Sequence, residues 1–255
     1  MFFVRTSRYR LCELFGIPLY VDVSFVILLL MFMWGQPLTY GLAGALVLAI
    51  SVVLHELGHS LTARLFGYQT NDITISLIGG CASLIALPRK AWQELLTAVA
   101  GPAVSFALSG AALATLLTVP IENRWLFYVV LDVFALNLML GTFNLLPGFP
   151  MDGGRIFRSL LRSFLSRRSA TYVAMVVGRV TAVLLVLGPD VLEQIFGITH
   201  FWIIPIGGNF FMRLIIAWMI WKEGYREYVQ AQMESSWEYE DLRVRVSPPP
   251  YGDGN

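Results

Sequence analysis

The sequence predicts an all-α protein that crosses a lipid bilayer about six times and carries one small membrane-associated β-hairpin. Of its 255 residues, 56% are hydrophobic and only 14% are charged, whereas about a quarter of the residues of a soluble domain are charged. The apolar residues form six runs of membrane-spanning length, and one segment between two of these runs alternates between apolar and polar residues. Lipid is therefore the expected solvent for much of the surface.

Six segments hold the roughly 20 mostly apolar residues that a bilayer-spanning helix needs. They are Ile17–Trp34, Thr39–Phe66, Leu95–Val119, Trp125–Leu146, Thr171–Leu187 and Phe201–Trp221. These spans predict a single membrane domain over residues 1–221. The more polar residues 222–255 are expected to form a cytosolic tail, whose end is rich in Pro and Gly and is expected to be disordered.

The segment Gly67–Leu87, between the second and third spans, does not fit a helix. Apolar and polar residues alternate over most of Asp72–Ile78, which is the period of a β-strand. Gly79-Gly80 then supplies a turn, and Ala82–Leu87 is expected to return as a second strand. The segment therefore predicts the β-hairpin.

The basic residues predict the orientation of the chain. If both termini are cytosolic, fifteen of the 18 Lys and Arg residues lie in cytosolic segments, as the positive-inside rule requires. Arg124 alone lies in an outer loop, and Arg179 and Arg213 lie within spans, where we assign them no catalytic role. The net charge of +1 provides no field for nucleic acid, so no nucleic-acid partner is expected.

The second span contains the motif His55-Glu56-Leu57-Gly58-His59. Residues four apart share a helix face, so both imidazoles can bind one metal ion, and Glu56 can deprotonate a water molecule that the metal holds. A chance match to a short pattern is the alternative, but such polar groups cost several kcal/mol in hydrocarbon unless they are paired or metal-bound. We therefore expect one Zn²⁺ per chain, roughly 16 Å below the cytosolic surface.

A catalytic zinc usually has three protein ligands. Spacing alone leaves two roles open for the candidate third ligand. Asp152 lies in a Pro- and Gly-rich segment at the cytosolic end of the fourth span, where it could bind the metal or cap the next helix. His200 falls at the outer surface and fits an interfacial histidine better. Asn137 and Asn144 share a helix face and could bond to neighbouring helices, although Asn144 could instead hold a substrate carbonyl or an oxyanion.

Five short motifs in order along the chain resemble the site-2 protease family of intramembrane zinc metalloproteases, in its prokaryotic six-span type without an appended regulatory domain. They are His55-Glu56-Leu57-Gly58-His59, Ile78-Gly79-Gly80, Ala100-Gly101-Pro102-Ala103, Phe143-Asn144-Leu145-Leu146-Pro147 and Met151-Asp152-Gly153-Gly154-Arg155. The resemblance implies that His55, His59 and Asp152 bind zinc, that Glu56 is the general base and that Asn144 contributes to the site. Met151 and Ser105 depart from the Leu and Asn that are frequent in the family.

The resemblance also implies a function. Residues 1–221 would be a transmembrane metalloprotease domain in a prokaryotic cytoplasmic membrane, and its substrates would be membrane proteins cut within or near a transmembrane segment. A regulatory membrane partner fits this scheme. The alternative is a metal carrier or transporter that uses the His pair, which would not need Glu56. The edge of the strand Asp72–Ile78 could dock an unwound substrate by strand addition, or the hairpin could only plug the cytosolic mouth.

The predicted orientation can be tested with reporter fusions. A reporter fused after Trp221 should read cytosolic, and one inserted near Glu122 should read external, because the basic segments stay on the cytosolic side. Alkaline phosphatase and fluorescent-protein activities of the two fusions measure this directly. An external signal after Trp221 would overturn the orientation.

Overall fold

The computed structural model describes residues 8–76, 79–84, 88, 90–196 and 210–246. Within these residues the chain forms four strands and seven helices. The strands are β1 (Arg8–Leu14), β2 (Ile17–Asp22), β3 (Thr70–Ser76) and β4 (Gly79–Leu84). The helices are α1 (Val23–Met33), α2 (Leu38–Leu65), α3 (Ala91–Thr118), α4 (Arg124–Asn144), α5 (Asp152–Leu161), α6 (Arg167–Phe196) and α7 (Phe210–Val246).

Four of the described helices are long and apolar enough to cross a membrane. They are α2, α3, α4 and the part of α6 from Arg167 to Gly188. These helices coincide with four of the predicted spans, and the membrane character of the fold is confirmed. The predicted count of six is not, because no other helix in the described part of the chain meets the same length and hydropathy.

The first predicted span, Ile17–Trp34, is wrong. Its first part is the strand β2, and the helix α1 that follows has only 11 residues, which is about 16 Å of helix for a hydrocarbon core of about 30 Å. The change from strand to helix occurs at Asp22, whose Oδ1 accepts a hydrogen bond of 2.8 Å from the Ser24 N–H. The sequence concealed this change because Asp22 and Ser24 are the only charged or hydroxyl side chains in the run apart from Tyr20, so β2 and α1 together resemble one apolar span.

The last predicted span, Phe201–Trp221, is only partly described. Residues 201–209 lie outside the described residues, as does His200, and α7 begins at Phe210. The helix then continues past Trp221 to Val246 without a break. The boundary between the predicted domain 1–221 and the tail 222–255 therefore falls inside a helix, and that division stays a prediction. Residues 247–255, where disorder was expected, also lie outside the described part of the chain.

The strands form one sheet in the order β1-β2-β3-β4. β1 and β2 are antiparallel, β2 and β3 are parallel with Leu19 opposite Ile73, and β3 and β4 are antiparallel. The predicted hairpin is therefore present as β3–β4, but it belongs to a four-stranded sheet. The parallel pair requires a crossover connection, and here α1 and α2 supply it.

The predicted limits of the hairpin are also corrected. Gly79 and Gly80, predicted as a turn, pair with Ser76 and Ile75 within the ladder. The second strand is β4 rather than Ala82–Leu87, and residues 77–78 and 85–87 lie outside the described residues. Because β3 has a partner on each side, its edge is not free, so the expectation that a substrate docks along Asp72–Ile78 is wrong.

The sheet packs against α2 and holds it in place. The contact is a buried apolar core between the inner face of the sheet and the helix, and it includes Ile17, Leu19, Ile73, Ile75, Leu48 and Val52. Within a membrane such a contact is stabilised by close packing, because lipid tails are as apolar as these side chains and supply no hydrophobic driving force. Leu48 and Val52 precede His55 on α2, so this core fixes the rotation of the helix segment that carries the histidines.

A close backbone approach fixes α3 against α2, and a hydrogen bond fixes α4 against α2. A Cβ atom added to Gly58 would lie 2.9 Å from the backbone oxygen of Ala100, so only glycine allows α2 and α3 to approach this closely. Asn137 on α4 donates a hydrogen bond of 2.8 Å to the hydroxyl of Ser51 on α2. This bond confirms the interhelical role that was predicted for Asn137.

The two arginines within the predicted spans both contact a neighbouring helix. The Arg179 guanidinium on α6 lies 4.5 Å from the ring centroid of Trp221 on α7. Arg213 on α7 donates to the backbone oxygen of Val186 on α6 at 2.9 Å. Both contacts therefore tie α6 to α7.

Candidate metal centre

His55 and His59 lie one turn apart on α2 and both point at the same carboxylate. Their side chains are buried, and their Nε2 atoms each lie 3.1 Å from Oδ2 of Asp152. The ligand atoms of the three residues all lie within 4.8 Å of one another. The fold thus brings together side chains that are more than ninety residues apart in the sequence.

The structure does not support the capping role of Asp152, and its role as a metal ligand stays a prediction. The residue that caps α5 is Met151, and Asp152 is the first residue inside the helix. Its carboxylate faces the two imidazoles and is 6% exposed. A carboxylate binds a metal ion in its ionised form, and in this position Asp152 can bind the same ion as the two histidines.

The remaining nitrogen of each imidazole is held by α3. Nδ1 of His59 lies 2.7 Å from the backbone oxygen of Thr97, and Nδ1 of His55 lies 2.9 Å from the hydroxyl of Ser105. A carbonyl oxygen only accepts hydrogen bonds, so Nδ1 of His59 carries the proton, and in the neutral ring the lone pair is on Nε2. This arrangement is typical of histidines that bind metals.

The three donors fit a zinc ion. Two imidazole nitrogens and a carboxylate are ligands that Zn²⁺ prefers, and bonds of about 2.0–2.1 Å in a tetrahedron place ligand atoms roughly 3.3 Å apart. The observed separations between the His nitrogens and the Asp152 oxygen are 3.1 Å. A buried carboxylate beside two imidazoles needs a positive charge among them, which a proton or a metal ion can supply.

Gly101 on α3 keeps the space in front of the imidazoles open. A Cβ atom there would lie 2.7 Å from Nε2 of His55 and would overlap Nε2 of His59. Any other residue would therefore fill the space on which the metal-binding nitrogens converge. Sequence reasoning noted Gly101 and Ser105 only within or beside a family motif, and it missed Thr97 because a backbone oxygen leaves no sequence signal.

Glu56 lies beside His55 on α2 and is buried, with 8% of its surface exposed. Among the described residues, no group forms a hydrogen bond with its carboxylate, so both oxygens are available to a water molecule or a substrate. The sequence predicted this position next to the histidines. Its role as a base stays a prediction.

Asn144 is not among the residues that converge on the site. It is the last residue of α4, it is half-buried, and its side-chain amide donates to the backbone oxygen of Leu140 at 3.0 Å. A short loop connects it to Asp152. Its suggested contact with a substrate therefore stays a prediction.

Two glycines fold that loop tightly over the start of α5. A Cβ atom on Gly153 would overlap the backbone oxygens of Leu145 and Leu146, and one on Gly154 would lie 2.7 Å from the backbone carbon of Gly148. These contacts explain the Gly-Gly pair that follows Asp152 in the sequence. The pair lets the loop lie directly against the helix whose first residue faces the histidines.

Comparisons with known proteins agree with this site. The model of peptidase family M50 matches residues 43–123 and 121–188. The zinc metalloprotease MJ0392 of Methanocaldococcus jannaschii is 35% identical over 183 residues, which are 70% of this chain and 52% of that protein. The protein sll0528 of Synechocystis sp. is 35% identical over 219 residues, 79% of this chain and 57% of that protein.

A solved structure, the site-2 protease from Methanocaldococcus jannaschii, has a similar fold. It superimposes with a TM-score of 0.59 at 28% identity, and the match covers 87% of this chain and 95% of that chain. The chain spans about half the length of the curated relatives it matches. The family model covers more than half of this chain and includes the residues of the metal centre. The chain therefore belongs to peptidase family M50, the family of the site-2 proteases.

Proposed function

We propose that this protein is a zinc metalloendopeptidase that hydrolyses peptide bonds within or near transmembrane segments of membrane-protein substrates, as in regulated intramembrane proteolysis. The observation that carries the proposal is the buried group that His55 and His59, on a helix of membrane-spanning length, form with Asp152 of α5, with Glu56 beside it. The names and family of its relatives support the same chemistry. The alternative of a metal carrier is not favoured by any contact of the described residues.

One zinc ion would be held by His55, His59 and Asp152. When bound, zinc supplies Lewis acidity, which polarises the scissile carbonyl and makes water a nucleophile near neutral pH. Ser105 and the backbone oxygen of Thr97 hold the imidazoles in the orientation that binding requires. Their contribution is to orient the ligands before the metal arrives.

Glu56 is the proposed general base. Its carboxylate accepts a proton from the attacking water as the water oxygen bonds to the carbonyl carbon, and then delivers that proton to the amide nitrogen as the C–N bond breaks. The Asn144 amide is the proposed donor to the substrate carbonyl or to the oxyanion that forms from it. Asn144 would have to exchange its bond to the Leu140 oxygen for one to the substrate.

The proposed location is a prokaryotic cytoplasmic membrane, with several passes and both termini in the cytosol. The charge distribution supports this orientation. With this topology, the site lies within the bilayer and nearer its cytosolic side. A transmembrane substrate must unwind locally to reach it, because a helix hides its peptide bonds in its own hydrogen bonds.

An unwound substrate needs a partner for its free backbone groups, and β4 is the proposed one. β4 lies at the edge of the sheet and packs against α2, the helix that carries the histidines. β1 lies at the other edge, and its main packing is against β2. An extended segment added to β4 would therefore pair with a strand that contacts the histidine-bearing helix, with its register set by main-chain hydrogen bonds.

The first test of the proposed function is Glu56→Gln. Loss of the base should slow cleavage of a transmembrane substrate by about 10²–10⁴-fold, while zinc content stays at one ion per chain. Cleavage in proteoliposomes and elemental analysis of the purified protein measure both quantities. Glu122→Gln, at an exposed position between α3 and α4, is the matched control and should cleave normally. A Glu56→Gln protein with full activity would exclude the mechanism, and metal transport without proteolysis in the wild type would favour the carrier.

Asp152→Asn tests the third ligand. Loss of an anionic donor should weaken zinc binding by about 10-fold or more, on the scale known for groups that support a metal site, and should lower activity with it. Competition with a chromogenic chelator measures the zinc affinity. Wild-type affinity and activity in this variant would remove Asp152 from the ligand set.

Single proline substitutions at Cys81, Ala82 and Ser83 test docking along β4. Proline removes the N–H group, and on an edge strand it is tolerated where that group faces outward. Variants that lose an outward N–H should keep their zinc and cleave a membrane substrate about 2–10-fold more slowly, which is the effect of one hydrogen bond. Leu11→Pro, at the bulge of the opposite edge strand β1, is the control. Wild-type cleavage by all three zinc-loaded variants would contradict docking at β4.

A further inference from the structure

Arg158 is a buried charge in the middle of α5 that the proposed mechanism does not use. It is 1% exposed and is the largest fully buried side chain among the described residues. A guanidinium always carries its charge in a protein, so this burial requires several hydrogen-bonding partners. Its partners identify what it does.

Those partners lie on three separate parts of the chain. Glu94 on α3 accepts from Nε of Arg158 at 2.9 Å and from Nη2 at 2.5 Å, and Glu227 on α7 accepts from Nη1 at 2.6 Å. The guanidinium also lies 4.9 Å from the ring centroid of Phe149, which is buried in the loop before α5. Arg158 therefore clamps α5 to α3, to α7 and to its own preceding loop.

The two carboxylates that accept hydrogen bonds from Arg158 are suited to hold its positive charge. Glu94 is buried and receives a second hydrogen bond, from Nη1 of Arg162 at 2.5 Å. Burial would raise the pKa of Glu227, but the charge of Arg158 outweighs that effect and keeps the pKa below its usual value. Glu227 is therefore ionised at neutral pH, and both contacts of Arg158 are charge-assisted hydrogen bonds, which are stronger and more directional than neutral ones.

The contacts of Arg158 connect two helices, α5 and α3, that supply different parts of the metal centre. Asp152 is six residues before Arg158 on α5, which is about 9 Å along the helix axis. On α3, Glu94 is one turn before Thr97, whose backbone oxygen orients His59. Arg158 thus connects the helix that supplies the carboxylate to the part of α3 that orients an imidazole.

Stability alone is a weak explanation for such a cluster. A buried ion pair is often no more stabilising than apolar side chains of the same volume, because both charges lose their hydration. What the fork of a guanidinium adds is geometry, since several directed bonds set both the rotation and the axial position of a helix. α5 has only ten residues and packs against α3 and α6, and the bonds of Arg158 add directed contacts to that short packing.

We propose that Arg158 is a positioning residue: by clamping α5 between Glu94 and Glu227, it holds Asp152 in register with His55 and His59. This inference rests on the proposed zinc site. Glu227 lies beyond the last predicted span, and the inference gives it a role in holding α5 through Arg158. The α7 extension would then contribute to the metal centre through α5 without touching it.

The test measures metal binding rather than activity. Arg158→Gln should weaken zinc binding about 10–100-fold, the range for residues that support a metal's ligands. It should also change the visible d–d spectrum of the Co²⁺-substituted protein, because the ligand geometry changes. Arg162→Gln is the matched control: it removes the same charge from the residue that caps the end of α5 and from Glu94, but Arg158 still bridges to α3 and α7. Its zinc affinity should stay within about 3-fold of wild type.

A second variant separates positioning from folding. Arg158→Gln leaves the Glu94 charge with Arg162 as its remaining arginine partner, and the protein could unfold for that reason. The double variant Arg158→Met, Glu94→Gln removes both charges and should fold, as shown by circular dichroism and size-exclusion chromatography in detergent. Positioning predicts that its zinc affinity stays low, whereas a purely structural role predicts recovery to wild type. A folded double variant with wild-type zinc affinity and Co²⁺ spectrum would overturn the inference.

Glu227→Gln tests the α7 arm alone and should weaken zinc binding several-fold. Wild-type affinity in this variant would remove α7 from the clamp. Failure of the proposed function looks different: if wild-type protein loaded with Zn²⁺ retains none after dialysis, the zinc site itself is wrong, and the inference falls with it.

Discussion

The convergence of two imidazole nitrogens on one carboxylate oxygen is the contact on which the rest of this structure depends. Each of these groups is costly to bury alone, and in an apolar setting no bulk water can replace a missing partner. Each of the three groups must therefore be placed to within a few tenths of an ångström of the position in which it meets the other two. α2 carries both histidines, α5 carries Asp152 and α3 orients the rings, so three helices have to be placed together.

Close approach of the backbones makes that placement possible. Gly58 lets the backbones of α2 and α3 approach closely, and Gly101 leaves room on α3 for the two imidazoles. Gly153 and Gly154 let a loop lie directly against α5. Glycine costs conformational entropy in a helix, so its use at these positions marks where distance matters more than helix propensity. In each case a single methyl group would meet backbone atoms or an imidazole.

The sheet and the buried charges perform a similar task at a larger scale. The inner face of the sheet covers one side of α2, and the clamp at Arg158 connects α5 to α3 and α7. Four strands rather than one hairpin also change how a substrate could dock. The strand with the clearest alternating pattern is central and has a partner on each side, whereas β4 lies at an edge of the described sheet and packs against α2.

The sequence by itself determined the features that depend on local spacing and composition. The i, i+4 histidines, the membrane-spanning lengths of α2, α3, α4 and α6, and the strand period of β3 follow from helix and strand geometry and from the polarity of the solvent. Family motifs added the expectation that Asp152 is a ligand. Tertiary structure alone decided that Asp152 faces the histidines instead of capping α5, because a carboxylate at a helix start suits both roles.

Tertiary structure also decided the features for which local sequence patterns gave no signal or the wrong one. The apolar run Ile17–Trp34 reads as one span, yet it divides into β2 and α1 because β2 pairs with a strand fifty residues further along the chain. The support from Thr97 comes from a backbone oxygen, and the role of Arg158 comes from partners on two distant helices. Such contacts depend on which segments the fold brings together, and no periodicity within a segment records that.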